Sequence, residues 1–248
     1  MGDESHANPK RAFLLPALLS MTAGAVDVIS FLAFGGLFAA HITGNLVILA
    51  AHYITGRFGE IGPLLSVPVF VLVIGVITAV FVRKPISVIR RALLVLQAVL
   101  VVFFLGFSVR FGPFADPNTA MAVFVGMLGV AAMATQSALV RLALPGVPAT
   151  VVLTTNVTQL TIDLARLARG YDAPDDLAQV QRRTSVTLVS VLGFGLGVVA
   201  GAILEIHFGL WSLILPGSIA LIAIPLAESI GTGVSDCEIH HPVDHGPR

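Results

Sequence analysis

Charge is scarce in this chain. Only 11% of its 248 residues are Asp, Glu, Lys or Arg, and acidic and basic residues cancel to a formal net charge of zero. The zero net charge says nothing about partners, among which nucleic acid is not expected, but so few charged residues leave most of the chain too apolar for a water-soluble domain. A single cysteine, Cys237, excludes an intramolecular disulfide framework and a cysteine-based zinc site. There is no nucleotide-binding loop, no hydrolase serine motif and no zinc-protease helix, so ATP-driven pumping through this chain alone is not expected. No cofactor is implied.

What fills the sequence instead is apolar: 56% hydrophobic residues and a mean hydropathy of +0.94. Runs near the length needed to cross ~30 Å of hydrocarbon, about 20 residues each, occupy 13 to 34, 63 to 82, 92 to 109, 119 to 143, 184 to 206 and 210 to 229. Uninterrupted runs point to helices, since barrel strands read as short alternating segments. The first run has no small-residue cleavage site after it and is read as a retained helix. The expected class is an all-α integral membrane protein whose constant partner is the lipid bilayer.

Two further stretches, 37 to 55 and 150 to 168, hold the polar copies "HITGNLVIL" and "VLTTNVTQL", each preceded by helix breakers: Gly35-Gly36, and Pro145-Gly146-Val147-Pro148. If both cross the membrane there are eight spans; if neither does, six. Lys and Arg favour the cytoplasmic side. With the amino terminus inside, eight spans put nine cationic residues inside against five outside, whereas six spans give twelve against two. The six-span arrangement is therefore expected, with 37 to 55 and 150 to 168 as re-entrant segments. Residues 37 to 42, extended, travel about 20 Å, and a helix from Thr43 to Ile54 returns by a similar distance.

Thr43, Asn45, Leu49 and Gly59 each stand 111 residues before Thr154, Asn156, Leu160 and Gly170. The expected organisation is a cytoplasmic segment 1–11, a first membrane repeat 12–110, a second 117–229 and a disordered cytoplasmic tail 230–248. Three crossings per repeat turn the second upside down, an inverted 3+3 repeat of the kind that places transporter binding sites near the bilayer midplane. The tail carries Asp236, Glu238, His240, His241 and His245, but their spacing matches no standard zinc pattern.

Helices that begin inside lipid expose bare N–H groups. Thr43-Gly44-Asn45 and Thr154-Thr155-Asn156 are read as their caps. Two helix amino ends converging at midplane favour an anionic or carbonyl-rich group. Asp27, mid-span in "AGAVDVISF", is a candidate coupling residue, with Gln136 as its counterpart in the second half. Asn156, Gln159 and Asp163 share one helix face, and Asn45 and His52 occupy the matching face of the first. The expected substrate-binding set is thus Thr43, Gly44, Asn45, Gln136, Thr154, Thr155, Asn156 and Gln159, with Asp27, His52 and Asp163 in coupling or gating roles. His41 ranks below these, and simple capping or packing remains the alternative throughout. Gly193, Gly197 and Gly201, four residues apart, read as a packing seam.

The stretch "GAVDVISFLAFGGLFAAHITGNLVIL" resembles the YoaK-like family of bacterial inner-membrane proteins, a domain of unknown function. The likeness rests on Gly24, Asp27, Phe38, Thr43, Gly44 and Asn45, then Gln136, Thr154 and Asn156, and runs over roughly residues 12 to 229. It implies a bacterial inner-membrane class without supplying an activity. The expected function is a secondary transporter or channel-like permease for a small polar or anionic solute, both termini cytoplasmic. A non-transporting scaffold or sensor, and less readily a membrane-embedded enzyme built on Asp27, His52 and Asp163, stay open, as does homo-oligomerisation.

Overall fold

The structure is a computed structural model that describes residues 9–55, 61–170 and 174–231. The expectations placed on residues 1–8, on Gly59 and on the tail from 232 onward lie outside the described residues.

Among the described residues eight α-helices follow one another: α1 (Pro9–Ala33), α2 (Ile42–Ile54), α3 (Ile61–Phe81), α4 (Ile86–Phe111), α5 (Ala120–Ala143), α6 (Leu153–Arg169), α7 (Pro174–Phe208) and α8 (Ile214–Gly231), with a short 3₁₀ turn at Gly209–Leu213. No strand occurs among the described residues. Five stretches of the described residues are long and apolar enough to cross a membrane: Phe13–Ala33, Ile61–Phe81, Ile86–Phe111, Ala120–Ala143 and Leu177–Ala227. The last holds α7, the 3₁₀ turn and α8 in 51 residues. The chain is an all-helical, multi-pass membrane protein.

Two core clusters order the helices from end to end. One gathers Leu15 and Leu19 of α1, Ile77 of α3, Ile89 and Leu93 of α4, Leu139 and Ala143 of α5, and Ala223 and Ala227 of α8. The other gathers Val26 and Ile29 of α1, Val101 and Phe104 of α4, Val125 and Val130 of α5, Phe194 of α7, and Leu213. Helices α1 and α4 therefore rise from the first cluster to the second, while α3, α5 and α8 descend. Gly193, Gly197 and Gly201 of α7 meet Ala17, Met21 and Ala25 of α1 in ascending order, so α7 rises beside α1. Arg83, Lys84, Arg90, Arg91, Arg141, Arg166 and Arg182 stand at helix ends on the side of the first cluster, the basic end. The opposite end is rich in phenylalanine: Phe31 and Phe38 pack at 4.8 Å, Phe34 and Phe104 at 5.5 Å, and Phe34 and Phe114 at 5.3 Å between ring centroids.

Helices α1 and α5 are central, with 67% and 72% of their apolar windows buried, whereas α3, at 11%, lies at the rim. Helix α2 packs on α3, and α6 on α7. Because α3 starts at the phenylalanine end and α7 at the basic end, the two short helices finish at opposite ends of the bundle.

Candidate functional site

Helix α1 stops at Ala33 because the chain turns through Gly35 and Gly36, both at positive φ (63° and 85°), a conformation side-chain-bearing residues avoid. Residues 37–41 then fold back along α1 as far as Asp27. There the Ala40 N–H donates to Asp27 Oδ1 at 2.8 Å, and His41 Nδ1 lies 2.6 Å from Oδ2. Asp27 is 5% exposed, so a carboxylate in this place needs such partners. Asn45, wholly buried, locks the same segment: its Oδ1 accepts from the Phe38 N–H at 2.9 Å, and its Nδ2 donates to the Phe38 carbonyl at 2.7 Å and to Ser66 Oγ at 2.8 Å.

The second half repeats this with neutral groups. The segment after α5 folds back to Gln136, whose Nε2 donates to Thr150 Oγ1 and to the Leu19 carbonyl, both at 2.8 Å. Asn156 Nδ2 donates to the Ala149 carbonyl at 2.7 Å, seven residues back as Asn45 reaches Phe38. The residues preceding the two short helices match in conformation, His41 at φ −105°, ψ 81° and Val152 at φ −117°, ψ 81°. Gln97 of α4 completes the cluster, donating from Nε2 to Gln136 Oε1 at 2.6 Å. Its own Oε1 is buried without a partner.

On α1 the two segments stop at different heights. The first reaches Asp27 and the second, through Gln136, reaches Leu19, eight positions or about 12 Å apart at 1.5 Å per residue.

The capping role expected of the threonine-x-asparagine copies is corrected by this geometry. Neither α2 nor α6 has a side-chain cap. Asn45 and Asn156 lie inside the first turn and reach backward to the preceding segment. A side chain one turn into a helix is too far along to accept from the N–H groups ahead of it. Thr43, Thr154 and Thr155 are exposed on the outer faces of their helices, and an added Cβ at Gly44 would stand 2.8 Å from the Phe38 ring, so its smallness seats that ring. Gln159 Nε2 donates to Asp163 Oδ1 at 2.9 Å, and wholly buried Asp163 is paired with Arg183 of α7, whose Nε donates to Oδ2 at 2.9 Å. His52 stands on the last turn of α2, toward the phenylalanine end, and Asp163 toward the basic end. Asp27, His52 and Asp163 therefore do not converge into one acid/base set.

The structure adds Ser66, Gln97 and Thr150 to the polar interior, brings part-buried His41 onto Asp27 and sets exposed Arg183 against Asp163. Gln97 had a usable signal, a lone amide inside an apolar run, of the kind that singled out Asp27. Thr150 and His41 sit in turns outside any periodic pattern and become significant only once the chain folds back. Among the described residues no three His, Cys, Asp or Glu side chains group as a metal site.

No curated protein and no solved structure matches this chain. A family profile described as "Protein of unknown function (DUF1275)" matches residues 15–226, nearly the whole membrane-embedded length, and the chain belongs to that family.

Proposed function

We propose that this protein is a secondary transporter or channel-like permease for a small polar or anionic solute, built as an inverted repeat of 12–110 and 117–229. Its frame is six crossings, α1, α3, α4, α5, α7 and α8, with 34–54 and 144–169 as re-entrant loop-and-helix units. The observation that carries the reading is that α2 and α6 both begin uncapped inside the bundle. Each is held by a buried polar residue of the preceding helix, Asp27 or Gln136, and the two approach from opposite ends. First-turn N–H groups that no side chain satisfies are donors for a solute, and membrane helices beginning at mid-depth are a recurrent transporter device.

The packing supports the inversion. Exchanging α1 with α5, α2 with α6, α3 with α7 and α4 with α8 turns the α1–α7 pairing into α5–α3, α1–α8 into α5–α4, and α2–α3 into α6–α7, and all these pairs pack. Every exchange also swaps a rising helix for a descending one. The positive-inside tendency makes the basic end cytoplasmic, with both termini there, in a bacterial inner membrane as the YoaK-like resemblance implies.

Two experiments test this. In a cysteine-free background, Leu32→Cys and Tyr53→Cys label with a membrane-impermeant maleimide from one face, and Pro145→Cys and Arg169→Cys from the other. Labelling of either pair from opposite faces overturns the re-entrant plan. Proteoliposomes are then assayed for uptake across a panel of carboxylates, inorganic anions, sugars and amino acids. Uptake above protein-free vesicles, lost in Asp27→Asn while the variant stays folded, is the expected result. A panel with no uptake by the wild-type protein favours the scaffold or sensor.

A further inference from the structure

Between α3, α5 and the segment leading into α6 lies a cleft of about 250 Å³. Phe70 and Ile74 line its deeper part, Ser137 and Thr150 its middle, and Thr78 and Arg141 the part toward the basic end. Two side-chain hydrogen-bond donors face it. Arg141 has no acidic partner among the described residues and its side chain is exposed. Thr150, 3% exposed, accepts from Gln136, and its own O–H has no acceptor among the described residues. The Val152 N–H is donated to the Ala149 carbonyl, so the backbone there adds no donor. The remaining hydroxyls, Thr78 and Ser137, are turned to carbonyls of their own helices. No carboxylate lines the cleft.

A buried hydroxyl with an unspent proton and a cation at the mouth form a site with donors and no charged acceptor, and such a site selects an anion. One guanidinium against a neutral donor balances one negative charge. The walls of Phe70, Ile74, Ala138, Val140 and Val151 ask for an apolar body behind that charge. The volume falls below the roughly 300–1,000 Å³ of pockets for drug-sized ligands, which restricts the occupant to a few carbon atoms or a single ring. We infer that this cleft binds a small organic monoanion, a carboxylate with a short apolar body, entering from the basic end with its charged group between Arg141 and Thr150. This deepens the permease proposal and rests on it. The head group of an anionic lipid shares the same chemistry, and the test separates the two sources.

The full-length protein is placed in nanodiscs of phosphatidylcholine, and its thermal unfolding is followed against sodium butyrate and sodium benzoate, with butyramide and butylammonium as controls. A ligand that binds the folded state raises its unfolding temperature with saturation. Butyrate or benzoate is expected to do so and the two controls not. Arg141→Gln weakens the apparent affinity by about tenfold, Arg141→Lys restores part of it, and Thr150→Val weakens it while Thr150→Ser does not. Because Thr150→Val also removes an acceptor from Gln136, the Arg141 pair decides if that variant fails to fold.

Absence of a saturable shift with either carboxylate, an equal shift with butyramide, or an undiminished shift in Arg141→Gln overturns the site. In nanodiscs of phosphatidylglycerol the carboxylate response is expected to persist. Its loss there assigns the cleft to the lipid and overturns the free-solute occupant. Carboxylate binding without uptake by proteoliposomes would keep the cleft and remove the permease. Uptake without binding would do the reverse.

Discussion

The α1–α7 and α3–α5 interfaces are the same contact in the two halves of the proposed repeat, yet they are built differently. Along α1–α7, Gly193 and Gly197 sit where an added Cβ would stand 2.5 and 2.2 Å from the carbonyl oxygens of Ala17 and Met21, so the two backbones nearly touch. Along α3–α5 no glycine meets the facing helix in this way, and the 250 Å³ cleft lies between them. Lipid tails are as apolar as leucine, so helices in a bilayer gain little from hydrophobic association and depend on how closely they pack. The tight pair is thus a fixed seam and the loose pair a place where something else fits. In an inverted repeat that difference also gives a direction: the cleft reaches toward the basic end, while Phe31, Phe34, Phe38 and Phe114 pack the other.

The sharpest way to break this comparison is to put the same side chain on each seam. Gly197→Leu must drive α1 and α7 apart, because its Cβ overlaps backbone that cannot rotate away, and a loss of roughly 3 kcal/mol or more is expected. Gly75→Leu, on α3 with nothing within 4 Å of an added Cβ, is expected to stay within about 0.5 kcal/mol of the parent. Unfolding by sodium dodecyl sulfate from mild detergent measures both. Equal losses would mean that the glycine stripe does not fix the seam.

A second contrast lies in the asparagines. Asn45 satisfies both backbone groups of Phe38 and bonds Ser66, while Asn156 makes one bond, to the Ala149 carbonyl. Unmade hydrogen bonds to buried groups cost about 1–3 kcal/mol each. Asn45→Ala is therefore expected to cost about 3 kcal/mol and Asn156→Ala about 1 kcal/mol in the same unfolding assay. A reversed order would show that the two motifs are not loaded as their hydrogen bonds indicate.

Hydropathy made the spanning helices legible because bilayer thickness sets their length, and the glycine breakers made the two short helices legible: Thr43 to Ile54 was expected against Ile42–Ile54, and Thr154 to Ala168 against Leu153–Arg169. Helix α7 starts at Pro174, ten residues before the apolar run at 184, since a polar helical extension carries no hydropathy signal. Asp27 and Gln136 stood out as polar residues inside apolar runs. Their partners did not, because Asp27 to His41 and Gln136 to Thr150 are closures over 14 residues across a turn, and no helical period marks such a contact. The capping reading went wrong for a related reason. Threonine and asparagine near a helix start look alike whether they bond forward to the helix or backward to the segment before it.

A small change in stability is expected at the residue that most separates the two tethers. Asp27→Asn makes the first tether neutral, as Gln136 makes the second. The new amide still accepts from the Ala40 N–H, and its NH₂ can donate to a neutral His41, so the loss is expected to stay near about 1 kcal/mol. The opposite exchange is harsher. In Gln136→Glu a carboxylate replaces the group that donates to the Leu19 carbonyl, which leaves that acceptor facing negative charge and is expected to cost about 2–3 kcal/mol unless the acid is protonated. The two tethers would then tolerate neutrality and resist charge unequally, although they hold equivalent segments. If Asp27→Asn is as stable as this and still loses solute uptake, the carboxylate is retained for transport; a folded Asp27→Asn protein with full uptake would make the charge dispensable and reduce both tethers to hinges.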